Sequence, residues 1–316
     1  MAPKVVVAHV LPDAGLELLR GRCQLVVGGG AMDRGALLEL VRGADAVVAD
    51  PTVPIDAELL EAAGPQLRVV ANFAVGYDNV DLAASRARGI VVTNTPDVLT
   101  NATAELAVAL MLAAARRLGE AERIVRRGEW TGWEPGQLLG RELAGSTIGI
   151  VGLGRIGTRV AELLQGFGAR LLYASDRPRP ESERRLGIEH RDLRALLRES
   201  DVVTLHVPLS DETRHLIGAE ELALLRPGSV LVNTSRGPLV DTGALIAALR
   251  EGRILAALDV YEHEPNVPAE LRELENVVLA PHIGSATERA RDGMARLAAE
   301  NVIAVLDGRL PLTPVS

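Results

Sequence analysis

Cysteine is almost absent from this sequence, since Cys23 is the only one among 316 residues. A single thiol cannot form an internal disulfide and provides no spacing of metal ligands. This pattern is typical of proteins in a reducing compartment. We therefore expect a cytoplasmic protein that has no metal site.

Aromatic residues, basic tracts and long apolar runs are also scarce. Phe, Trp and Tyr make up 2% of the chain and the net charge is −8, which disfavours nucleic acid as a partner. The longest apolar run, 104–115, contains Glu105 and is shorter than the ~20 residues that span a membrane. Aliphatic residues are plentiful instead, and with 47% apolar content the length predicts two domains with separate cores.

The first 98 residues alternate between strand-like and helix-like segments. Runs rich in β-branched residues predict strands over 5–10, 25–27, 46–49, 67–71 and 90–93. Helices are predicted between them over 13–20, 33–41, 56–63 and 81–87, each opening on an Asp that can cap its first turn. The alternation is typical of a parallel sheet covered by helices.

A second series of this kind follows an apolar helix. The helix is predicted over 100–117, capped by Thr100 or Asn101, and should be buried between domains or against a second subunit because it is apolar all round. Further strands are predicted over 147–151, 171–174, 202–207, 230–233, 256–260 and 277–280. A last helix over 286–306 could return to the first domain, so we expect hinges near 98–101 and 283–287 and a ligand cleft between the domains.

A glycine-rich stretch follows the first strand of the second series. Gly152, Gly154 and Gly157 form a GxGxxG motif between an apolar strand and a segment with helical periodicity. In a dinucleotide site the first glycine makes a tight turn, the second admits the pyrophosphate, and the third lets helix and strand pack closely. The motif alone would also fit a structural turn in another βαβ unit, but its context favours dinucleotide binding.

The end of the next strand bears on which dinucleotide is bound. A chain that binds NAD usually places an acid there, which accepts hydrogen bonds from the adenosine ribose. Ser175 occupies that position and Asp176 comes one residue later, whereas Arg177 and Arg179 would suit the 2′-phosphate of NADP. These residues could equally form a solvated loop, so the sequence leaves NAD or NADP open.

Three side chains that could carry acid–base chemistry follow successive predicted strands. Arg236 and His282 come shortly after their strands, and Glu264 lies in the acidic turn after the strand between them. An arginine can bind a carboxylate through two hydrogen bonds. A carboxylate beside an imidazole raises the pKa of the imidazole and fixes its tautomer. Taken singly, the three could be a surface ion pair, a solvated loop acid and a structural histidine.

Taken together, Arg236, Glu264 and His282 are predicted to share one rim of a parallel sheet. An arginine, a histidine paired with a carboxylate, and a dinucleotide are the parts needed to move a hydride to and from a 2-keto acid. The remaining histidines lack such a setting in the sequence: His9, His190, His206, His215 and His263.

These motifs resemble the D-isomer-specific 2-hydroxyacid dehydrogenase family over essentially the whole chain. The matching segments are VGYDNVD at 75–81, TAE at 103–105, GLGRIG at 152–157, HVP at 206–208, NTSRG at 233–237, ALDVYEHEP at 257–265 and PHIGS at 281–285. Within the family, NFAVGYD at 72–78 and WTGWEP at 130–135 look most like glyoxylate/hydroxypyruvate reductases. The implied fold is α/β, with two doubly wound parallel-sheet domains: a flavodoxin-like substrate-binding domain (1–98 and 287–316) and a Rossmann dinucleotide-binding domain (99–286).

The resemblance also implies roles for individual residues at the substrate. It makes His282 the proton donor, Glu264 its carboxylate partner, and Arg236 the residue that binds the carboxylate and carbonyl of the substrate. The backbone N–H groups of Val75 and Gly76 would bind the same carboxylate.

For the assembly, the resemblance implies a homodimer formed through the helix at 102–117. Trp133 would then contribute to the substrate site of the neighbouring subunit.

The resemblance also bears on the cofactor. The reductases that prefer NADPH tend to have arginine at position 176, so Asp176 puts that preference in doubt. The implied cofactor-binding residues, of which Thr103 and Asp259 lie near the nicotinamide, are Thr103, Gly152, Gly154, Arg155, Ile156, Gly157, Ser175, Asp176, Arg177, Arg179, Pro208, Thr234 and Asp259.

The implied reaction is hydride transfer from NAD(P)H to C2 of glyoxylate or hydroxypyruvate, while His282 protonates the oxygen. One alternative within the same class is a dehydrogenase for a bulkier 2-hydroxy acid or for 3-phosphoglycerate. An alternative of another class is a binding protein that senses NAD(H) without turnover. Glu264 argues against a formate dehydrogenase, since those enzymes share the fold but lack the carboxylate partner.

Overall fold

The computed structural model describes residues 2–30 and 32–315, and the chain divides into two compact units. Unit 1 takes in the residues up to Leu99 and those from Ser285 onwards, and unit 2 comprises Thr100–Gly284. Each unit is built on one parallel sheet, which confirms the predicted fold class. Within the described residues, no helix is both long enough and apolar enough to cross a membrane.

Unit 1 contains a five-stranded sheet covered by helices. Its strands are β1 (Lys4–Val7), β2 (Gln24–Val27), β3 (Ala46–Ala49), β4 (Val69–Asn72) and β5 (Val91–Thr93), and its helices are α1 (Asp13–Leu19), α2 (Arg34–Val41), α3 (Ala57–Ala63), α4 (Leu82–Ala87) and α13 (Glu288–Leu306). The strand order β2-β1-β3-β4-β5 is that of flavodoxin-like folds.

Three of the four predicted aspartate caps are confirmed. Asp33, Asp56 and Asp81 each accept a hydrogen bond from the backbone N–H three residues further on. The prediction for Asp13 is wrong, because Pro12 is the cap residue of α1 and Asp13 lies inside its first turn. There the carboxylate still interacts favourably with the positive end of the helix dipole.

The last helix belongs to unit 1. It packs against α1 at Gly15, where a Cβ would lie 2.5 Å from the carbonyl oxygen of Ala295. Within the helix, the side-chain oxygen of the buried Asn301 accepts hydrogen bonds from the N–H groups of Leu312 and Thr313, which lie beyond the helix end. The segment that follows α13 is thereby fixed within the same unit.

Unit 2 contains a seven-stranded sheet. Its strands are β6 (Thr147–Val151), β7 (Arg170–Ala174), β8 (Glu189–His190), β9 (Val202–Leu205), β10 (Ser229–Asn233), β11 (Ile254–Leu258) and β12 (Val277–Leu279). Its helices are α5 (Thr100–Ala115), α6 (Leu118–Arg126), α7 (Arg155–Leu164), α8 (Pro180–Leu186), α9 (Leu193–Glu199), α10 (Ala219–Leu224), α11 (Thr242–Arg250) and α12 (Ala269–Arg272). The order β12-β11-β10-β9-β6-β7-β8 is a Rossmann order that reverses between β6 and β9, the position where open α/β sheets bind ligands.

Several predicted boundaries are wrong by a few residues. Strand β1 ends at Val7 rather than at Val10, which is 70% exposed beyond the sheet. Strand β9 stops before His206, and β11 begins two residues earlier than predicted. The last helix begins at Glu288, after a cap by Thr287. Strand β8 was not predicted, because its two residues are polar and show no apolar pattern.

Helix α5 packs against other elements of unit 2. It packs against α7 and against strands β10 and β11, and along its length only Asn101, Glu105 and Ala109 are exposed. Unit 2 therefore covers part of the apolar surface from which burial was predicted, and a contact of α5 with a second subunit stays a prediction. The predicted cap is also wrong, since Thr100 and Asn101 are the first two residues of the helix.

Candidate active site

The glycine motif forms the turn between β6 and α7. Gly152 has a φ of 96°, which glycine adopts without the strain that a Cβ would cause. A Cβ there would also lie 2.7 Å from the carbonyl carbon of His206. Gly157 packs against the start of the same turn, since its Cβ would come within 2.0 Å of the Gly152 carbonyl oxygen. The fold of the turn thus requires the first and third glycines.

Gly154, in contrast, faces open space. It is the N-cap residue of α7 and provides no side-chain cap. Among the described residues, no atom outside its own backbone neighbourhood lies within 4 Å of where its Cβ would be. The N–H groups at the start of α7, where Arg155 and Ile156 are the first two residues, are therefore open to a ligand at the positive end of the helix dipole. These residues fit the pyrophosphate of a dinucleotide.

The end of β7 presents charges of both signs. Ser175 follows the strand directly, and its hydroxyl donates to the carbonyl oxygen of Arg177 at 2.6 Å. Asp176, Arg177 and Arg179 are all exposed. Across residues 2–30 and 32–315, none of these three side chains forms an ion pair. The structure therefore leaves one carboxylate and two guanidinium groups accessible at the place where a dinucleotide fold meets the adenosine ribose.

Arg236, Glu264 and His282 follow the carboxyl ends of three adjacent strands. Strand β11 pairs in parallel with β10 on one side and with β12 on the other. Arg236 and His282 each lie three residues beyond their strands, and Glu264 lies six beyond β11. The structure therefore places the three predicted residues at one edge of one sheet.

Glu264 and His282 form a hydrogen-bonded pair. Glu264 Oε2 lies 2.7 Å from His282 Nδ1, and Oε1 accepts from the N–H of Tyr261 at 2.9 Å. Burial alone would raise the pKa of the Glu264 carboxyl, but the hydrogen bonds from His282 and Tyr261 and the charges of His282 and Arg236 hold this pKa below its ordinary value. An ionised carboxylate at Nδ1 favours the N–H form there, which leaves Nε2 to exchange a proton with a substrate.

The backbone of His282 is strained. Its φ of 53° lies in the left-handed region, which costs of the order of 1–3 kcal/mol for a residue other than glycine. Its N–H donates to the Asp259 carbonyl at 2.8 Å, and the N–H groups of Ile283 and Gly284 donate to the Asp259 carboxylate at 2.7 Å each. Three hydrogen bonds to one residue thus stabilise a turn that the backbone alone disfavours, as is common at functional sites.

Asp259 and Thr103, both predicted near the nicotinamide, contact the same turn. Asp259 is fully buried, and this burial raises the pKa of its carboxyl despite the two N–H donors. Thr103, in α5, donates its hydroxyl to the carbonyl oxygen of Gly284 at 3.1 Å. The structure therefore brings these two residues together beside His282.

The loops after β9 and β10 carry two further predicted cofactor residues, Pro208 and Thr234. Ser235 Oγ joins the loops by donating to the carbonyl oxygen of Val207, next to Pro208, at 2.6 Å. Thr234 Oγ1 is buried and has no hydrogen-bond partner among the described residues. A buried hydroxyl without a partner is costly unless a ligand completes it, so Thr234 fits a contact with a cofactor.

Two hydrogen bonds position Arg236. Its carbonyl oxygen accepts a hydrogen bond from the buried Asn233 Nδ2 at 2.8 Å, and its Nη1 donates to the Ser235 carbonyl at 2.9 Å. Because Asn233 is the last residue of β10, its side chain links the end of the strand to the residue that carries the guanidinium. The sequence alone does not reveal this positioning role of Asn233.

In unit 1, hydrogen bonds fix the peptide groups of Val75 and Gly76. The N–H of Thr95 donates to the Ala74 carbonyl at 2.8 Å, and Asn94 Nδ2 donates to the Val75 carbonyl at 2.8 Å. Because a peptide group is planar, fixing these two carbonyls also fixes the N–H groups of Val75 and Gly76. The two amides predicted to bind the substrate carboxylate are therefore preorganised.

Trp133 lies in a segment with several exposed apolar side chains. It is 79% exposed and Trp130 is 57% exposed. Leu118, Val125 and Leu139, in α6 and the loop after it, are also exposed. Large exposed apolar residues in one segment are typical of an interaction surface.

Two of the other histidines are paired with carboxylates in the structure. His9 Nδ1 lies 2.5 Å from Asp50 Oδ2, and His215 Nε2 lies 2.6 Å from Glu262 Oε1. The partners are 41 and 47 residues apart in the chain. No local pattern could reveal these pairs, because the fold alone brings the partners together.

Tyr261 is a further site residue whose role the sequence alone does not reveal. In addition to binding Glu264 through its N–H, it donates its hydroxyl to the carbonyl oxygen of Ala280 at 2.8 Å, two residues before His282. Burial and the charges of Asp259 and Glu264 raise its pKa to about 12, so the hydroxyl remains a donor. Its only signal in the sequence is its place in the acidic turn.

Comparison with known proteins decides the family. Residues 108–284 match the model of the D-isomer specific 2-hydroxyacid dehydrogenase, NAD binding domain. The chain belongs to the D-isomer-specific 2-hydroxyacid dehydrogenase family. This confirms the resemblance found in the motifs and makes the protein an oxidoreductase that uses a nicotinamide dinucleotide.

Relatives of this dehydrogenase match it over nearly their whole length. A glyoxylate reductase of Thermococcus litoralis is 51% identical over 98% of this chain and 96% of its own. The crystal structure of a protein from Thermus thermophilus has a TM-score of 0.93 and 45% identity, covering 99% of this chain and 100% of that one. The NADPH-dependent glyoxylate/hydroxypyruvate reductase of Sinorhizobium meliloti, in complex with NADP and malonate, has a TM-score of 0.89 and 36% identity, covering 100% of this chain and 97% of that one.

Proposed function

We propose that this dehydrogenase reduces glyoxylate and hydroxypyruvate to the corresponding 2-hydroxy acids with NADH or NADPH. The observation that carries the proposal is the pair formed by Glu264 and His282 at the sheet edge that also bears Arg236. The similarity to glyoxylate reductases supports the choice of substrate, since the site residues themselves specify only a 2-keto acid.

Arg236 binds the substrate in this proposal. Its guanidinium offers parallel N–H donors that match a carboxylate or the adjacent carbonyl oxygen. The preorganised N–H groups of Val75 and Gly76 bind the same carboxylate. Together they orient C2 and its carbonyl before the reaction, which lowers the entropic part of the barrier.

His282 supplies the proton. When bound, the reduced nicotinamide supplies a hydride, with its electron pair, to C2 of the keto acid. His282 donates a proton from Nε2 to the carbonyl oxygen, and Glu264, bound at Nδ1, holds the ring in the orientation needed for that transfer. The hydride on C2 and the proton on the oxygen together give the 2-hydroxy acid, and the histidine then regains a proton from solvent.

We propose that three exposed charges set the choice between NADH and NADPH. Asp176 would accept hydrogen bonds from a ribose diol and repel a 2′-phosphate, whereas Arg177 and Arg179 would attract the phosphate. We expect Asp176→Asn to raise kcat/KM for NADPH relative to NADH by about tenfold, because it removes one like-charge repulsion of roughly 1.4 kcal/mol. Arg177→Gln should change the ratio in the opposite direction. An unchanged ratio in both variants would contradict this role.

We also propose that the enzyme is a homodimer in which Trp133 reaches the substrate site of the neighbouring subunit. The exposed apolar side chains of α6 and the following loop support this, and they favour a contact along 118–139 over one through α5. Sedimentation velocity tests the proposal, and a monomer at micromolar concentration would contradict it. The cytoplasmic location stays a prediction from the sequence.

The direct test is oxidation of NADH and of NADPH in the presence of glyoxylate and of hydroxypyruvate. Turnover with either keto acid supports the proposed function. Turnover only with bulkier 2-keto acids would contradict the substrate assignment. Cofactor binding without turnover of any 2-keto acid would contradict the reaction itself and favour a protein that senses the dinucleotide.

A further inference from the structure

Another imidazole–carboxylate pair in unit 2 includes Glu262, which precedes Glu264 by two residues. His215, in the loop between β9 and α10, places Nε2 2.6 Å from Glu262 Oε1. Glu262 Oε2 accepts the N–H of Thr242, at the start of α11, at 3.3 Å. Burial would raise the pKa of the Glu262 carboxyl, but hydrogen bonds from Thr242 and His215 hold this pKa below its ordinary value. An ionised carboxylate therefore links three segments of unit 2.

The loop that carries His215 pairs with the segment after Arg236. The N–H of His215 donates to the Pro238 carbonyl at 2.8 Å, and that of Ile217 donates to the Leu239 carbonyl at 3.0 Å. His215 has a φ of 52°, a strained value for a residue with a side chain. A strained histidine that pairs with a carboxylate 47 residues away points to a role for its side chain.

Gly237 packs directly on the peptide that joins Tyr261 to Glu262. A Cβ on Gly237 would lie 1.9 Å from the carbonyl carbon of Tyr261 and 2.4 Å from the N of Glu262. Gly237 therefore prevents the turn 261–264 from moving toward it. Contacts on the other sides of the turn determine whether it can move away from Gly237. The bond to His215 is one of those contacts.

The same turn determines where Glu264 lies. The N–H of Tyr261 donates to Glu264 Oε1 at 2.9 Å, and Glu264 Oε2 binds His282. A shift of Glu262 would move the peptide groups on either side of it, and with them the carboxylate that orients the imidazole. Displacements of about 1 Å at groups remote from the reacting atoms can cost up to ~10²-fold in rate.

We propose that His215 and Glu262 are a positioning pair for the reduction of the 2-keto acid. Their bond fixes the turn 261–264, and through it the orientation of Glu264 toward His282. Neither residue needs to touch substrate or cofactor. For its kinetic readout this inference rests on the proposed function. If the pair were an ordinary surface ion pair, it would contribute roughly 0–1 kcal/mol to stability and nothing to the rate.

The kinetic test compares two substitutions of His215. His215→Ala removes the donor to Glu262, whereas His215→Gln keeps an N–H at a similar reach. We expect kcat to fall about tenfold in His215→Ala with the KM for the cofactor unchanged, and His215→Gln to recover it to within about threefold. Arg194→Gln, which breaks surface pairs with Glu220 and Glu221 in the same unit, is the matched control and should leave kcat unchanged.

A double-mutant cycle asks whether the effect passes through Glu264. In a Glu264→Gln background, His215→Ala should lower kcat by less than about twofold, because residues that act through one another are not additive. Equal losses in the two backgrounds would show that His215 acts independently of Glu264, and would overturn the proposal. No loss in His215→Ala alone would overturn it as well.

Deuterium exchange gives a second readout that needs no substrate. The amides of 259–266 should exchange about tenfold faster in His215→Ala than in the parent enzyme, because the turn opens more easily. In His215→Gln they should exchange at nearly the parental rate. Unchanged exchange in His215→Ala would overturn the proposal. If the parent reduces no 2-keto acid, the proposed function fails, and the exchange measurement still decides whether His215 positions the turn.

Discussion

Glu264 Oε2 lies 2.7 Å from His282 Nδ1, and this bond joins the turns that follow two neighbouring strands. The conformation of the turn that carries His282 is stabilised by Asp259, which accepts hydrogen bonds from three successive N–H groups. The turn of Glu264 depends on Tyr261, whose N–H binds the second carboxylate oxygen. The acid–base pair is therefore held by backbone hydrogen bonds on both sides, which fixes the imidazole before any substrate binds.

Arg236→Lys tests whether the guanidinium binds the keto acid. A lysine keeps the charge but cannot form two parallel hydrogen bonds. The loss of one charge-assisted hydrogen bond of ~1.5–3 kcal/mol should raise the KM for glyoxylate about 10- to 100-fold. The dissociation constant of the cofactor should stay the same. A KM close to that of the parent would show that Arg236 does not contact the substrate.

Two alanine substitutions separate cofactor contact from folding in the glycine motif. Gly154→Ala adds a methyl group where no atom of the described residues lies within 4 Å, apart from its own backbone neighbourhood. We therefore expect the free energy of unfolding to change by less than about 1 kcal/mol. Cofactor binding should weaken by about tenfold or more, because the methyl group would occupy the approach to the helix N-terminus. Titration of the cofactor and urea unfolding measure the two effects.

Gly157→Ala is the matched comparison. Its Cβ would lie 2.0 Å from the Gly152 carbonyl oxygen, so helix and strand must separate. We expect a loss of stability on the order of 1–3 kcal/mol, together with weaker cofactor binding. If Gly154→Ala bound the cofactor as tightly as the parent, the proposed place of the pyrophosphate would be wrong.

His206 makes the stability of the protein depend on pH. Burial lowers the pKa of His206 from 6.5 to about 4, while the hydroxyl of Thr204 lies 2.9 Å from Nε2. Between these two pKa values the unfolded chain binds a proton that the folded chain does not, so this contribution to stability is lost as the pH falls through the window. The full shift corresponds to on the order of 3 kcal/mol.

His206→Gln removes this titration and leaves the other acids in place. We expect the free energy of unfolding of the parent to fall more steeply than that of His206→Gln between about pH 7 and about pH 4, by up to roughly 3 kcal/mol. Urea unfolding of both proteins at several pH values measures the difference. Parallel pH dependences would mean that His206 is protonated with equal ease in the folded and unfolded chains.

Local sequence patterns predict most of this fold because each element carries its own signal. The alternation of β-branched runs with Asp-capped helices predicts parallel sheets, and the capping bonds of Asp33, Asp56 and Asp81 show the signal at single residues. The same rule fails at Asp13, because the preceding Pro12 takes the cap position. Boundaries fail for a related reason, since apolar runs such as that of β1 continue past the end of the ladder.

The candidate site is only partly visible in the sequence. Arg236, Glu264 and His282 can be found because each follows a strand, and parallel strands end at one edge of a sheet. The pairs His9–Asp50 and His215–Glu262 cannot be found in this way, because their partners lie on segments with no common motif. Hydrogen bonds such as those of Tyr261 also cannot be predicted from the sequence, since they depend on the path of a turn rather than on residue type.

Comparing the parent enzyme with His282→Ala tests the proposed reaction and its proton donor together. The absorbance of reduced nicotinamide is followed with glyoxylate as substrate, and the dissociation constant of the cofactor is measured for both proteins. We expect the parent to oxidise the cofactor, and kcat to fall by ~10²–10⁴-fold in His282→Ala with cofactor binding unchanged, because the variant lacks its general acid. Undiminished turnover in His282→Ala would contradict the assignment of the proton donor, and an inactive parent would contradict the proposed reaction.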